Sequence, residues 1–165
     1  MAYKKEKTII VSALTVTFFL IVRFVPKDKI REAQLIFLFK QVLTWLFGLI
    51  VVEMGLIKYP YRLFFKKASK SSFSFEYFIY PALSVLYNLH YPEKRKLLVR
   101  ILFNTLYPSL ITLLEMIALK YTRLIKYKKN WSWYWSFISM FITNYLSHLY
   151  FKWFFKNQQP EKARQ

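Results

Sequence analysis

The chain has 165 residues, 56% of them hydrophobic and 21% aromatic, and its 26 Lys and Arg outnumber 8 Asp and Glu to give a net charge of +18. That length holds one domain, residues 1–165. The basic residues fall between apolar runs, which speaks against a nucleic-acid binder and fits a chain that keeps its cations at lipid headgroups.

Cysteine is absent, which removes disulfides, thiolate chemistry and Cys-ligated metal, and two glycines leave no phosphate-cradling loop. The opening MAYKKEK leads into TIIVSALTVTFFLIV, but RFVPK stands where a cleavage site would need small residues, so this segment reads as an uncleaved first span. Four further runs approach the roughly 20 residues a membrane-crossing helix needs. The five predicted spans are 8–25, 33–57, 73–90, 97–119 and 132–155, with a basic, aromatic segment at 58–72 lying along the interface. The predicted fold is therefore an all-α integral membrane bundle of about five transmembrane helices.

No span is free of polar residues, and at about 100° per residue these residues align on helical stripes. Gln41, Thr44, Gly48 and Gly55 share one side of the second span, Glu76, Tyr80 and Ser84 the third, Arg100, Asn104, Pro108 and Glu115 the fourth, and Ser136, Ser139, Thr143 and Ser147 the fifth. Such stripes pack helices closely in lipid, or they line a cavity.

The segments EMGLIKYPYRLF from Glu53 and EMIALKYTRLI from Glu115 echo each other at an offset of 62 residues. Two origins stay open: a duplicated two-helix unit, or convergence at an interface. Alternating spans bring Glu53, Glu76 and Glu115 to one membrane face, where Arg62, Lys66 and Arg123 would close an ion-paired collar; the functional alternative is a proton or cation site. The opposite face collects Asn88, His90, Asn144, His148, Arg100 and Asn104, with Arg23, Gln34 and Lys40 at similar depth. Two histidines without HExxH or comparable spacing do not make a metal site, and a cationic, amide-rich pocket suits an anionic headgroup better. Basic residues divide almost evenly between the faces, and MAYKKEK tips the N-terminus toward the cytoplasm.

No nucleophile elbow and no carboxylate pair at acid/base spacing marks an enzyme, and no catalytic, cofactor or metal residue is assigned. The string REAQLIFLFKQVLTWLFGLIVVEMGLIKYPYRLF, continuing through KSSFSFEYFIYPALSVLYNLHYPEKR, resembles a family of small uncharacterised membrane proteins from spore-forming Firmicutes, named after a clostridial locus. The resemblance covers most of the chain, including KYTRLIKY, and implies a multi-pass protein of the bacterial cell membrane; it brings no activity and no functional residue. The leading expectation is a non-enzymatic structural or accessory protein that contacts anionic lipids, alone, as a homo-oligomer or with another membrane protein. A small transporter or channel subunit using intramembrane carboxylates is the alternative, and a lipid-modifying enzyme trails both.

Overall fold

The computed structural model describes residues 3–156. Five α-helices account for most of them: α1 (Lys4–Phe24), α2 (Ile30–Glu53), α3 (Tyr80–Leu89), α4 (Leu97–Tyr121) and α5 (Trp133–Phe155). The protein is thus mainly α-helical, as its apolar runs predict. Among the described residues, three helices are long and apolar enough to cross a membrane: α1, α2 together with the short turn before it, and α4. α5 has the length, but its polar stripe and interfacial aromatics lower its hydropathy. α3 is shorter. Its ten residues follow six π-helical residues, Ser74–Ile79, and sixteen residues at helical rise reach roughly 24 Å, less than the hydrocarbon thickness.

This shortest helix is the hub. Pro81, Ala82, Ser84, Val85, Leu86, Tyr87 and Asn88 are all buried, and α3 packs against α1, α2 and α5. A helix buried all round belongs to a core, whereas the outer helices turn large apolar side chains outward, among them Phe19, Leu98 and Leu114.

The π-helix before α3 has a local cause. Pro81 lacks the N–H that would meet the carbonyl of Tyr77 in an α-helix or of Glu76 in a π-helix. Both carbonyls are supplied from α2: Gln41 Nε2 donates to the Tyr77 carbonyl at 3.0 Å, and Thr44 Oγ1 to that of Glu76 at 2.7 Å. Gly48, one turn further along α2, allows the close approach, because a Cβ there would overlap the Glu76 carboxylate.

Gly55 ends α2 with a positive φ of 70°, and the bonds from Leu56 N–H to the Val51 carbonyl and from Gly55 N–H to the Val52 carbonyl complete a left-handed C-terminal cap. The chain then enters a strap. Strands β1 (Ile57–Lys58) and β2 (Lys126–Tyr127) pair antiparallel, Ile57 opposite Tyr127 and Lys58 opposite Lys126. Bonds from Lys128 N–H to the Leu56 carbonyl (2.7 Å) and from Tyr61 N–H to the Arg123 carbonyl (3.3 Å) extend the ladder on both sides. The strands come from two copies of one tetrapeptide, Leu56-Ile57-Lys58-Tyr59 and Leu124-Ile125-Lys126-Tyr127. This identity lies outside the 62-residue register, and its structural meaning is that the two copies bind each other. At the same end, Glu6 Oε1 accepts the Arg123 N–H at 3.1 Å, and Lys5 Nζ reaches the Tyr121 carbonyl at 3.0 Å. A cation there meets the negative end of the α4 dipole. We call this the strap end, and the end carrying residues 25–29 and 90–96 the far end.

Candidate functional site

Three glutamates were expected together at the strap end, and the structure divides them. Glu53 is exposed and reaches Lys70 at 3.4 Å. Glu76 is 3% exposed on the first turn after the strap, and Glu115 projects inward from α4. The cations of the expected collar are engaged elsewhere: Arg62 donates to the carbonyls of Tyr59 and Lys66, and Arg123 lies over the Tyr3 ring. Among the described residues no Lys or Arg pairs with Glu76 or Glu115.

Both carboxylates line a cavity of about 370 Å³ between α2, α3, α4 and α5. Neither oxygen of Glu76 makes a hydrogen bond of ordinary geometry among the described residues, and the donors within reach are the Ser71 hydroxyl and the Ser72 N–H. Glu115 is half provided for. Ser136 Oγ donates to its Oε1 at 3.3 Å, and that hydroxyl in turn accepts from Trp131 Nε1 at 3.0 Å. Ser136 has one proton, already committed to Glu115, so the 3.0 Å contact with Tyr127 is a donation from the phenol. Glu115 Oε2 has no partner. Burial, and after it the Glu115 carboxylate, pushes the Tyr127 phenol above its usual range, and burial with Glu76 nearby does the same to Tyr59. Both phenols on this strap therefore stay protonated.

At the inner end of the cavity lies Lys40, 3% exposed, its Nζ 2.7 Å from Thr143 Oγ1 and 2.7 Å from Asn144 Oδ1. It lies eight residues from Gly48 on α2, hence about 12 Å from the level of Glu76. Ser84 lines the cavity beside it and begins a polar line toward the far end. Ser84 and Ser147 hydroxyls are 3.4 Å apart, Asn88 Nδ2 donates to Ser147 at 3.4 Å, and Asn88 Oδ1 meets His148 Nδ1 at 3.2 Å. His148 Nε2 then stands 3.7 Å from Glu93, whose other neighbour is Lys152 at 3.5 Å.

The expected far-end set is partly assembled. Asn88 and His148 bond directly, and Asn104 joins them through Tyr87 and Tyr91, accepting from the Tyr87 hydroxyl and donating to Tyr91 at 3.3 Å. Tyr91 also stacks on the His148 ring at 3.8 Å and lies beneath the Arg100 guanidinium at 5.9 Å. Asn144 belongs instead with Lys40. His90 turns back to the Leu86 carbonyl and packs edge-on against Phe24, so the two histidines do not converge.

Several residues here had no role in the sequence reading. Glu93 is a loop residue whose partner is distant in sequence. Tyr59 and Tyr127 were readable in principle from the repeated Leu-Ile-Lys-Tyr; Lys40, expected at the depth of Asn144, bonds to it directly.

No protein-family model, no curated protein and no solved structure matches this chain.

Proposed function

We propose that the protein is a multi-pass membrane protein of five membrane-embedded helices that binds a cation within the bundle, a small transporter or channel subunit and not an enzyme. α3 is the shielded central span, and α5 lies with exposed Trp133 and Trp135 at one interface and Trp153 at the other. The basic connections seat the protein against anionic headgroups, each cation contributing on the order of 1 kcal/mol, and the family resemblance is the reason to place it in a bacterial cell membrane.

One observation carries the reading over the purely structural one. Among the described residues Glu76 is buried beside a cavity with only the Ser71 hydroxyl and the Ser72 N–H near its oxygens and no Lys or Arg paired with it. An intramembrane carboxylate in that condition costs several kcal/mol, a cost a scaffold has no reason to retain and a cation or proton would remove. The polar line from Ser84 to Glu93 supports a route onward to the far end.

Proteoliposomes with an inside-negative potassium diffusion potential test this. Wild-type protein should admit labelled methylammonium or protons above protein-free vesicles, and Glu76→Gln should abolish the flux. Wild-type vesicles as tight as empty ones, together with no saturable methylammonium binding in detergent, would return the protein to the scaffold class.

A further inference from the structure

A second cavity, of about 520 Å³, lies on the other side of α3, between α1 and α4. The two helices stand apart along most of their length. Val16, Leu114 and Ile117 border the gap and are largely exposed, so it opens sideways, toward lipid. Its α1 wall runs from Ile9 to Leu20, twelve residues and roughly 16 Å of helix. Most of the lining is aliphatic, with the hydroxyls of Ser12 and Thr17 on α1 and Thr122 after α4 among it. At the strap end Tyr59, Tyr80 and Glu115 line this cavity and the carboxylate cavity alike. The two spaces share one wall, and Glu115 faces both.

We infer that the site takes a single-chain amphiphilic primary amine, its ammonium head at Glu115 between Tyr59 and Tyr80 and its hydrocarbon chain lying along α1 in the second cavity. This rests on the cation-binding reading and names the ligand class. Depth is right for such a molecule, because the head sits toward the interface and the chain points into the bilayer. Charge is right, because among the described residues the one ionisable group on the wall of the second cavity apart from phenols is a carboxylate, and Lys40 lines the inner end of the first cavity alone. Acceptors are available as well: Glu115 Oε2 lacks a hydrogen bond among the described residues, as do both Glu76 oxygens at ordinary geometry in the adjoining cavity, and a primary ammonium carries three N–H groups where a quaternary one has none. The tyrosine rings offer faces on which a desolvated cation is held.

The test is equilibrium binding of labelled dodecylamine to full-length protein in a non-ionic detergent, with methylammonium, dodecyltrimethylammonium and dodecyl sulfate as comparisons. Dodecylamine should saturate near one per chain. Glu115→Gln should weaken it by at least about tenfold, the loss of one charge-assisted contact. Ala13→Phe, which fills the chain cavity from α1, should weaken dodecylamine similarly and leave methylammonium unchanged; Ala13→Leu serves if the larger residue prevents folding. Equal binding of dodecyl sulfate, or indifference to Glu115→Gln, overturns the inference and identifies the gap as one filled by ordinary acyl chains. Methylammonium binding as tight as dodecylamine, untouched by Ala13→Phe, overturns the amphiphile and leaves the cation reading standing. If neither amine saturates, both fail.

Discussion

At the far end Asn88 bonds to Ser84, Ser147 and His148, and Glu93 takes both His148 and Lys152; at the strap end, among the described residues, Glu76 has only the Ser71 hydroxyl and Ser72 N–H at its margin and Glu115 keeps one oxygen without a partner. The same residue types are used to opposite ends. At the far end most donors and acceptors meet, His148 Nε2 and Arg100 Nε excepted, and each interhelical bond contributes on the order of 1 kcal/mol in lipid. Where acceptors are left over beside a cavity, the fold gives up stability, and on the proposed reading a bound cation would recover it. Lys40 marks the boundary: a buried cation with two neutral acceptors and no counter-ion.

The comparison breaks most visibly at the glycine that allows α2 to lie on Glu76. Gly48→Val places two methyl groups in the space of the carboxylate, and overpacking of this kind costs about 3 kcal/mol. Gly48→Ala is milder and displaces the carboxylate before it displaces the helix. Its cost should fall to nearly nothing in a Glu76→Ala background, a coupling that a double-mutant cycle on thermal unfolding in detergent reads directly. Equal costs in the two backgrounds would mean that α2 and Glu76 do not touch.

Next comes a pair of substitutions with opposite signs. Asn88→Ala strips His148 Nδ1 and two serines of a shared partner, a loss of about 2 kcal/mol. Glu76→Gln removes a buried charge that nothing offsets and should stabilise by about 1 kcal/mol, while abolishing cation flux. Loss of stability in both variants would show that Glu76 has a structural partner, and the contrast between the two ends would disappear.

How much of this was legible in the sequence depends on range. Helices came from apolar runs of the right length, because in a chain this hydrophobic the period and the punctuation at Pro26, Pro60 and Pro92 leave little choice. Stripes such as Ser136, Thr143 and Ser147 did point inward, since burial of hydroxyls against neighbouring helices is what lipid enforces. The π-helix was not readable: Pro81 is a local signal, but the donors to the carbonyls it leaves free, Gln41 and Thr44, lie 36 and 32 residues before the residues they bond. The expected collar was a matter of shared depth. Depth alone does not say that Arg62 would spend its guanidinium on the carbonyls of Tyr59 and Lys66, or that a Gly48 neighbour would draw Glu76 inward. Side-chain direction around a helix decides pairing, and sequence spacing fixes it only within one helix.

The smallest effect concerns the strap beneath the carboxylates. In the observed register Lys58 faces Lys126 directly, and like charges across a strand pair are unfavourable by a few tenths of a kcal/mol. Lys126→Glu turns repulsion into attraction and should raise stability by about 0.5 kcal/mol at low ionic strength. Because both side chains are exposed, the gain should vanish in molar salt, where screening acts within roughly 3 Å. Lys120→Glu, which alters the same charge at the exposed end of α4 without a cross-strand partner, supplies the control. If Lys126→Glu and Lys120→Glu behave alike, net charge explains both and the pairing of the two Leu-Ile-Lys-Tyr copies loses its support. If only Lys126→Glu gains, and salt removes the gain, the copies are joined in the register that sets Tyr59 and Tyr127 beside Glu115, and the open half of the interior owes its floor to a repeated tetrapeptide.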